Sequence, residues 1–246
     1  MKVTLIIPAY NEEKYIAECL EHVLHNKNFN EIIVIDNAST DRTAEIAAKI
    51  AHEHPDAKIR VVREDKKGLV MARQRGFLEA GKNPQCDIIA YVDADTKMPE
   101  KWLTAVIHEF EKDPNLATLS GPYIYHDIPA WQQSLIKILY WRALAMPVYW
   151  IVGFMVTGAN FAIRKSVLEK MNGFDVGIAF YGEDTNIARR ASKHGKVKFK
   201  ANFEMYTSGR RLKKQGITKT GLIYMANFVS EAFFKKPATK GYEDYR

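Results

Sequence analysis

Two carboxylates, Asp93 and Asp95, stand one residue apart directly after the apolar run Ile88-Ile89-Ala90-Tyr91-Val92. Such a run predicts a buried strand, and a buried strand that ends in two acids needs positive charge beside it. A divalent metal is the natural partner, and the usual ligand for a metal held at a strand end carries phosphates. Two other polar clusters follow apolar runs in the same way. Pro8-Ala9-Tyr10-Asn11 follows residues 3–7, and Asp36-Asn37-Ala38-Ser39 follows residues 32–35. If these strands are neighbours, the three clusters converge on one rim and describe a nucleotide-sized site.

The elements that must position these clusters alternate along the first half. Strands are expected at residues 3–7, 32–35, 59–62 and 88–92. Between them Ile16, Leu20, Val23 and Leu24 recur at helical spacing, residues 39–41 offer a cap to a helix through Ile46 and Ile50, and residues 69–80 read as a helix. Asn11-Glu12-Glu13 supplies the start of the first helix, and Pro99 suits the first turn of one carrying the stripe Trp102, Leu103, Val106, Ile107 and Phe110. Repeated strand–helix units with fully apolar strands predict an α/β fold, a mostly parallel sheet with helices on both faces. The chain has 246 residues, 47% of them hydrophobic, which suffices for one large α/β domain or two small ones.

The second half reads differently. Residues 143–163 carry no charge and are long enough to span a bilayer, but Pro147, Gly153, Gly158 and Asn160 interrupt them. An amphipathic helix over residues 130–146 followed by a buried strand ending near Ile163 is the expectation. Trp131, Tyr140, Trp141, Tyr149 and Trp150 suit either a membrane interface or a core. Residues 217–234 read as a final amphipathic helix, with Lys235 and Lys236 behind it. The net charge is +7, and residues 198–246 account for all of it, with eleven Lys or Arg against four Asp or Glu. A basic end on a neutral body suits an anionic surface or serves as a solvated tail. It carries no recognisable nucleic-acid module, so no nucleic-acid partner is expected. Cys19 and Cys86 show no metal-ligand spacing and are expected as reduced thiols. The first residues read as a strand, not a signal peptide. A cytoplasmic protein, peripheral on the inner face of the plasma membrane, is the corresponding expectation.

Pro8-Ala9-Tyr10-Asn11-Glu12, the segment from Val34 to Asp41, Ala72-Arg73-Gln74-Arg75-Gly76, Asp93-Ala94-Asp95, Thr157-Gly158-Ala159-Asn160, Gly173-Phe174-Asp175 and Gly182-Glu183-Asp184 follow one another in the order and spacing of family 2 glycosyltransferases. The resemblance covers residues 3 to about 200. It implies a GT-A fold, a nucleotide-sugar donor linked to UDP, GDP or dTDP, and a divalent cation, Mg or Mn. It divides the chain into a glycosyltransferase domain over 1–205, with a donor half 1–97 and an acceptor half 98–205, and a basic segment 206–246. By resemblance Asp95 is the metal ligand of a DxD motif and Asp93 contacts ribose or metal beside Ala94. Asp184 resembles the catalytic base, with Glu183 as its orienting neighbour. Pro8 and Tyr10 flank the nucleobase, Glu12 and Asp36 belong to the donor pocket, and Arg73 reaches base or phosphate.

Three departures from the family pattern matter. Asn37 stands where an acid is frequent, and its amide oxygen can still accept a bond from the base. Tyr206 replaces a histidine that reaches metal or phosphate, which turns attention to Arg210 and Arg211 as phosphate contacts or as a surface basic cluster. The QxxRW signature of processive synthases is absent, which implies transfer of a single sugar. Three readings follow. The first is an inverting, metal-dependent transfer to a hydroxyl of a glycan or lipid-linked glycan, as in cell-envelope polysaccharide synthesis. The second is a polyprenyl-phosphate glycosyltransferase resembling dolichol-phosphate mannose synthase. The third is a non-catalytic nucleotide-sugar-binding protein.

Overall fold

The computed structural model describes residues 1–178, 182–234, 238 and 239. Lys235, Lys236 and most of the basic tail beyond them lie outside the described residues. The strand–helix alternation is present as β1 (Val3–Ala9), α1 (Ile16–Leu24), β2 (Glu31–Asp36), α2 (Thr43–Glu53), β3 (Ile59–Arg63), α3 (Leu69–Gly81) and β4 (Ile88–Val92). Then come β5 (Thr96–Lys97), α4 (Trp102–Lys112), β6 (Leu116–Ser120), β7 (Tyr123–Tyr125), α5 (Ala130–Leu135) and α6 (Met146–Val152). The chain continues with β8 (Asn160–Arg164), α7 (Lys165–Lys170), α8 (Glu183–Ala191), β9 (Lys196–Phe199), β10 (Met205–Thr207), α9 (Arg210–Gln215) and α10 (Ile217–Phe234).

Seven strands form the main sheet in the order β3-β2-β1-β4-β8-β6-β9, and β5-β10-β7 form a small second sheet. Every pairing in the main sheet is parallel except the two made by β8. The uninterrupted apolar strands follow from burial on both faces. Leu5 and Ile7 of β1 join Leu20, Trp102, Val106 and Phe110 in one core, whereas Ile6 points the other way to join Val70, Phe77, Leu168 and Ile187. Gly76 lets α3 lie directly on β1, because a Cβ there would enter the van der Waals envelope of the Ile6 side chain.

The structure departs from the sequence expectations at four places. β1 runs through Pro8 to Ala9, and the missing Pro8 N–H costs nothing toward β4, which pairs with β1 only as far as Ile6. α1 starts at Ile16 instead of near Asn11. Asn11 takes a left-handed φ of 51°, and its side chain accepts the Thr40 N–H at 2.8 Å, stitching the loop after β1 to the loop after β2. The helix from Ala130 does not stop at 146. It passes through π-helical turns at Ile136–Ala145 into α6 and ends at Val152, where Gly153 adopts φ 80°. Pro147 lies in the first turn of α6, and widening the turns ahead of it accommodates the bond it cannot make. Finally, the boundary expected between residues 205 and 206 falls inside β10, which pairs with β5 and β7.

Candidate active site

Because β2, β1 and β4 are adjacent and parallel, their carboxyl ends meet on one edge of the sheet. A cleft of about 240 Å³ opens there. Pro8, Glu12, Asp93, Ala94 and Asp95 line it from the strand ends, together with Glu183, Asp184, Arg210 and Arg211 from the later half of the chain. The strand-end acids and the α8 acids, 90 residues apart in sequence, thus share one cavity.

Asp95 is held by the Thr207 hydroxyl, which donates to it at 3.1 Å, and by Arg210, 3.0 Å away. Burial pushes its carboxyl up to about 7; Arg210 opposes the rise, and the charges of Asp93 and Glu12 add to it. Glu12 is itself buried and takes both forks of the Arg210 guanidinium, at 2.6 and 2.7 Å. Arg210 also lies over the Tyr15 ring, 5.0 Å from its centroid. Three acids therefore crowd one place, with a single guanidinium bridging two of them, and the rim holds negative charge that a further cation would relieve.

Arg73 lies beneath this cluster, 1% exposed. It donates to Glu183, to Asp93 at 3.2 Å and to the Gly158 carbonyl at 2.9 Å. It ties the end of β4 to the start of α8. Glu183 keeps its second carboxylate oxygen buried and without a hydrogen-bond partner among the described residues, and burial raises its carboxyl against the pull of Arg73. Gly182, at φ 84°, turns the chain into α8 in a conformation that side-chain-bearing residues rarely adopt. Asp184 follows, partly exposed, accepting the Thr185 N–H at 2.8 Å; burial raises its carboxyl above the ordinary aspartate value.

Three residues expected at the donor pocket stand beside the cleft and not in its lining. Asp36 is buried and paired with Arg63 at 2.9 Å. Asn37 spends its side-chain amide on the loop after β3. Its oxygen accepts the Gly68 N–H at 2.7 Å, and its nitrogen donates to the Lys66 and Glu64 carbonyls at 2.8 and 3.2 Å. One of the two acceptor positions of that oxygen is thus occupied within the protein. Tyr10 carries the Lys67 ammonium over its ring, 4.0 Å from the centroid, with a 2.5 Å bond to its hydroxyl. Arg73, in contrast, lines the cleft; its two terminal nitrogens are engaged by Glu183, Asp93 and the Gly158 carbonyl, and its Nε has no hydrogen-bond partner among the described residues.

Sequence reasoning passed over the aromatic part of the cleft, which is lined by Tyr123, Tyr125, Tyr140, Trp141 and Tyr224. The alternation Tyr123-Ile124-Tyr125 carried a signal, since a short strand with one apolar face leaves both tyrosines on the other. Thr207 and Ser208 were passed over as well; they line the cleft immediately before Arg210.

A family model described as Glycosyl transferase family 2 matches residues 4–171. Among curated proteins, the chain is 30% identical over 236 residues to a dolichol-phosphate mannosyltransferase of Pyrococcus furiosus, covering 87% of this chain and 64% of that one. It is 29% identical over 213 residues to the probable glycosyltransferase YdaM of Bacillus subtilis, covering 79% of this chain and 47% of the relative. The chain thus spans about half to two thirds of the length of these relatives. Among solved structures, the mannosyltransferase PcManGT of Pyrobaculum calidifontis, in complex with GDP-mannose and Mn2+, superposes with a TM-score of 0.67 at 22% identity, covering 95% of this chain and 63% of that one. Glucosyl-3-phosphoglycerate synthase of Mycobacterium tuberculosis, with Mn2+, UDP and phosphoglyceric acid, gives 0.62 at 18% identity, covering 94% and 78%.

Proposed function

The chain belongs to glycosyl transferase family 2 and has its GT-A fold, and we propose that its cleft transfers a single sugar from a nucleotide-sugar donor to a hydroxyl of a glycan or lipid-linked glycan, with inversion. The observation that carries this reading is that Asp93 and Asp95 share one cleft with Asp184. A transfer of this kind needs charge stabilisation at one end of the sugar and a proton acceptor at the other. The nucleotide and Mn2+ in the solved relatives support a nucleoside-diphosphate donor and a divalent cation here.

The residues present fit such a cation. Among the described residues no group of three or more acidic, His or Cys side chains could hold a metal by itself. Asp95 and Asp93 would supply one or two carboxylates, and the phosphates of the donor would complete the shell, as is usual for Mg and chemically similar ions. When bound, the cation stabilises the charge that collects on the departing diphosphate. Arg210 adds a second positive charge at the same place, and Arg211 lies farther along the lining, over the Tyr224 ring.

In the transfer, the acceptor oxygen attacks the anomeric carbon as the bond to the diphosphate breaks. The hydroxyl proton passes to the Asp184 carboxylate, and the diphosphate departs with the bonding electron pair. Arg73 sits in the lining of the same cleft, 1% exposed. It holds Asp93 and Glu183 in place and so fixes the start of α8, on which Asp184 sits.

The test is a thermal-shift screen of UDP, GDP, dTDP and CDP, each with and without Mn2+. One nucleotide is expected to raise the midpoint in an Mn2+-dependent way, by about 2–4 °C for each kcal/mol of binding linkage. A flat response to all four would remove the donor site from the account.

A further inference from the structure

The helix from Ala130 to Val152 has an outward face that nothing among the described residues covers. It is 23 residues long, and an 18-residue stretch of it has a mean hydropathy of 1.4. Trp131, Ile138, Leu139, Trp150 and Ile151 are 66, 55, 56, 70 and 80% exposed. Scattered apolar residues on a surface need no explanation, but a row of this size along one helix does.

The opposite face of the same helix is committed to the protein. Ile136, Trp141 and Ala145 are buried against Ile124, Tyr125 and Phe199. The Trp141 indole donates to the Tyr123 carbonyl at 3.0 Å, and the Tyr149 hydroxyl donates to the Val197 carbonyl at 3.2 Å. A helix anchored to the protein in this way from Ile136 to Tyr149 is suited to lie on a surface.

Charge identifies the surface. The helix carries Lys137 and Arg142 and no acid, although Lys137 pairs with Glu204 at 2.5 Å. Next to it, Ile136, Tyr140 and Trp141 share a small recess with Leu212, Thr220 and Tyr224 of α9 and α10. Those two helices expose Lys213, Lys214 and Lys219, and their one acid, Glu231, is buried. Lys213 is paired with Asp127 at 3.0 Å, which leaves cations in excess over acids on this flank among the described residues. Exposed tryptophans and aliphatics on one side, with an excess of lysine and arginine beside them, match an anionic lipid interface.

We propose that the outward face of residues 130–152, with the basic flank of α9 and α10, seats this protein on an anionic lipid bilayer. The helix lies in the interface with Trp131, Trp150 and Ile151 entering the headgroup region. This proposal stands apart from the transfer reading, since it uses no residue of the acid cluster and its test measures no turnover.

The test is sedimentation of the full chain with phosphatidylcholine vesicles, with and without added phosphatidylglycerol, at low and high salt. Tryptophan emission is recorded in the same samples. Trp102 and Trp141 are buried, so a blue shift reports the two exposed indoles. Binding is expected with phosphatidylglycerol, weakening as salt rises. Ile151→Glu and the pair Trp131→Ser with Trp150→Ser are each expected to reduce partitioning about tenfold or more. Both changes are at exposed positions, and an unchanged thermal midpoint verifies that the variants are folded. The proposal is overturned if neither vesicle binds the protein, or if it binds and both variants bind equally well. It is equally overturned if the emission shift comes from a concentration-dependent dimer without lipid, or if the protein resists alkaline extraction like a spanning helix.

Discussion

Asp184→Asn is expected to lower sugar transfer about a hundred- to ten-thousand-fold while leaving donor binding unchanged. The amide keeps the size of the side chain and can still accept the Thr185 N–H that Asp184 accepts at 2.8 Å, so the start of α8 is preserved. What is lost is the group that takes the acceptor proton. The wild-type rate should also show an acid limb displaced upward. Burial raises the Asp184 carboxyl above the usual aspartate value. The active, ionised form is therefore lost at a higher pH than an exposed aspartate would give, and the rate rises as pH climbs through that limb. The same substitution separates the two acceptor classes. A lipid phosphate is already an anion and needs no base, so an Asp184→Asn enzyme that keeps most of its rate would reassign the acceptor to a polyprenyl phosphate. The measurement is kcat across pH for both proteins, with donor affinity determined separately by calorimetry.

Arg73→Met is expected to destabilise the protein by about 3–5 kcal/mol, because it leaves the buried Glu183 carboxylate without its cation. Glu183 loses its one ion-pair partner shown here, Asp93 loses a 3.2 Å contact and the Gly158 carbonyl loses its donor. For a chain of this size that is a fall in melting midpoint of roughly 6–20 °C. Adding Glu183→Gln should recover part of the loss, since the stranded charge is then gone, and the double-mutant cycle measures the coupling directly. Arg73→Lys should not substitute well, because one ammonium cannot reproduce a planar fork that reaches two carboxylates and a carbonyl. A shift of less than about 1 kcal/mol for Arg73→Met would show that the network is not what holds β4 to α8.

Much of the fold was legible because buried parallel strands have a plain signature. The runs at 32–35 and 88–92 are apolar at every position, and a strand covered on both faces has no reason to alternate. The acid pair was legible for the opposite reason, being charge where the pattern calls for none. Asn37 and Arg73 show where this reasoning stops. Their types suggested contact with a ligand, but their partners, Gly68 and Lys66 for one and Glu183 and Asp93 for the other, come together only through the crossing of elements. Several motif residues proved structural in the same way. Asn160 donates to the Phe203 carbonyl at 2.7 Å and accepts from the Trp102 indole at 2.8 Å, joining β8 to α4. The Phe174 N–H donates to the Gln74 side chain at 2.8 Å. The union of Glu12 with Arg210, 198 residues apart, could not be inferred from spacing at all. The helix from Ala130 was misjudged in length because Pro147 reads as a stop. A proline in the first turn of a continuing segment is tolerated when the turns before it widen.

The central claim is that the acid pair at the end of β4 is the donor half of a metal-dependent transfer site. It is tested most directly by following release of nucleoside diphosphate from the matching nucleotide sugar with Mn2+, after chelation, and for Asp95→Asn. The account predicts release in the presence of Mn2+, its loss on chelation, recovery when Mn2+ is restored, and no recovery in Asp95→Asn at any Mn2+ concentration. Release that is indifferent both to chelation and to Asp95→Asn would contradict it.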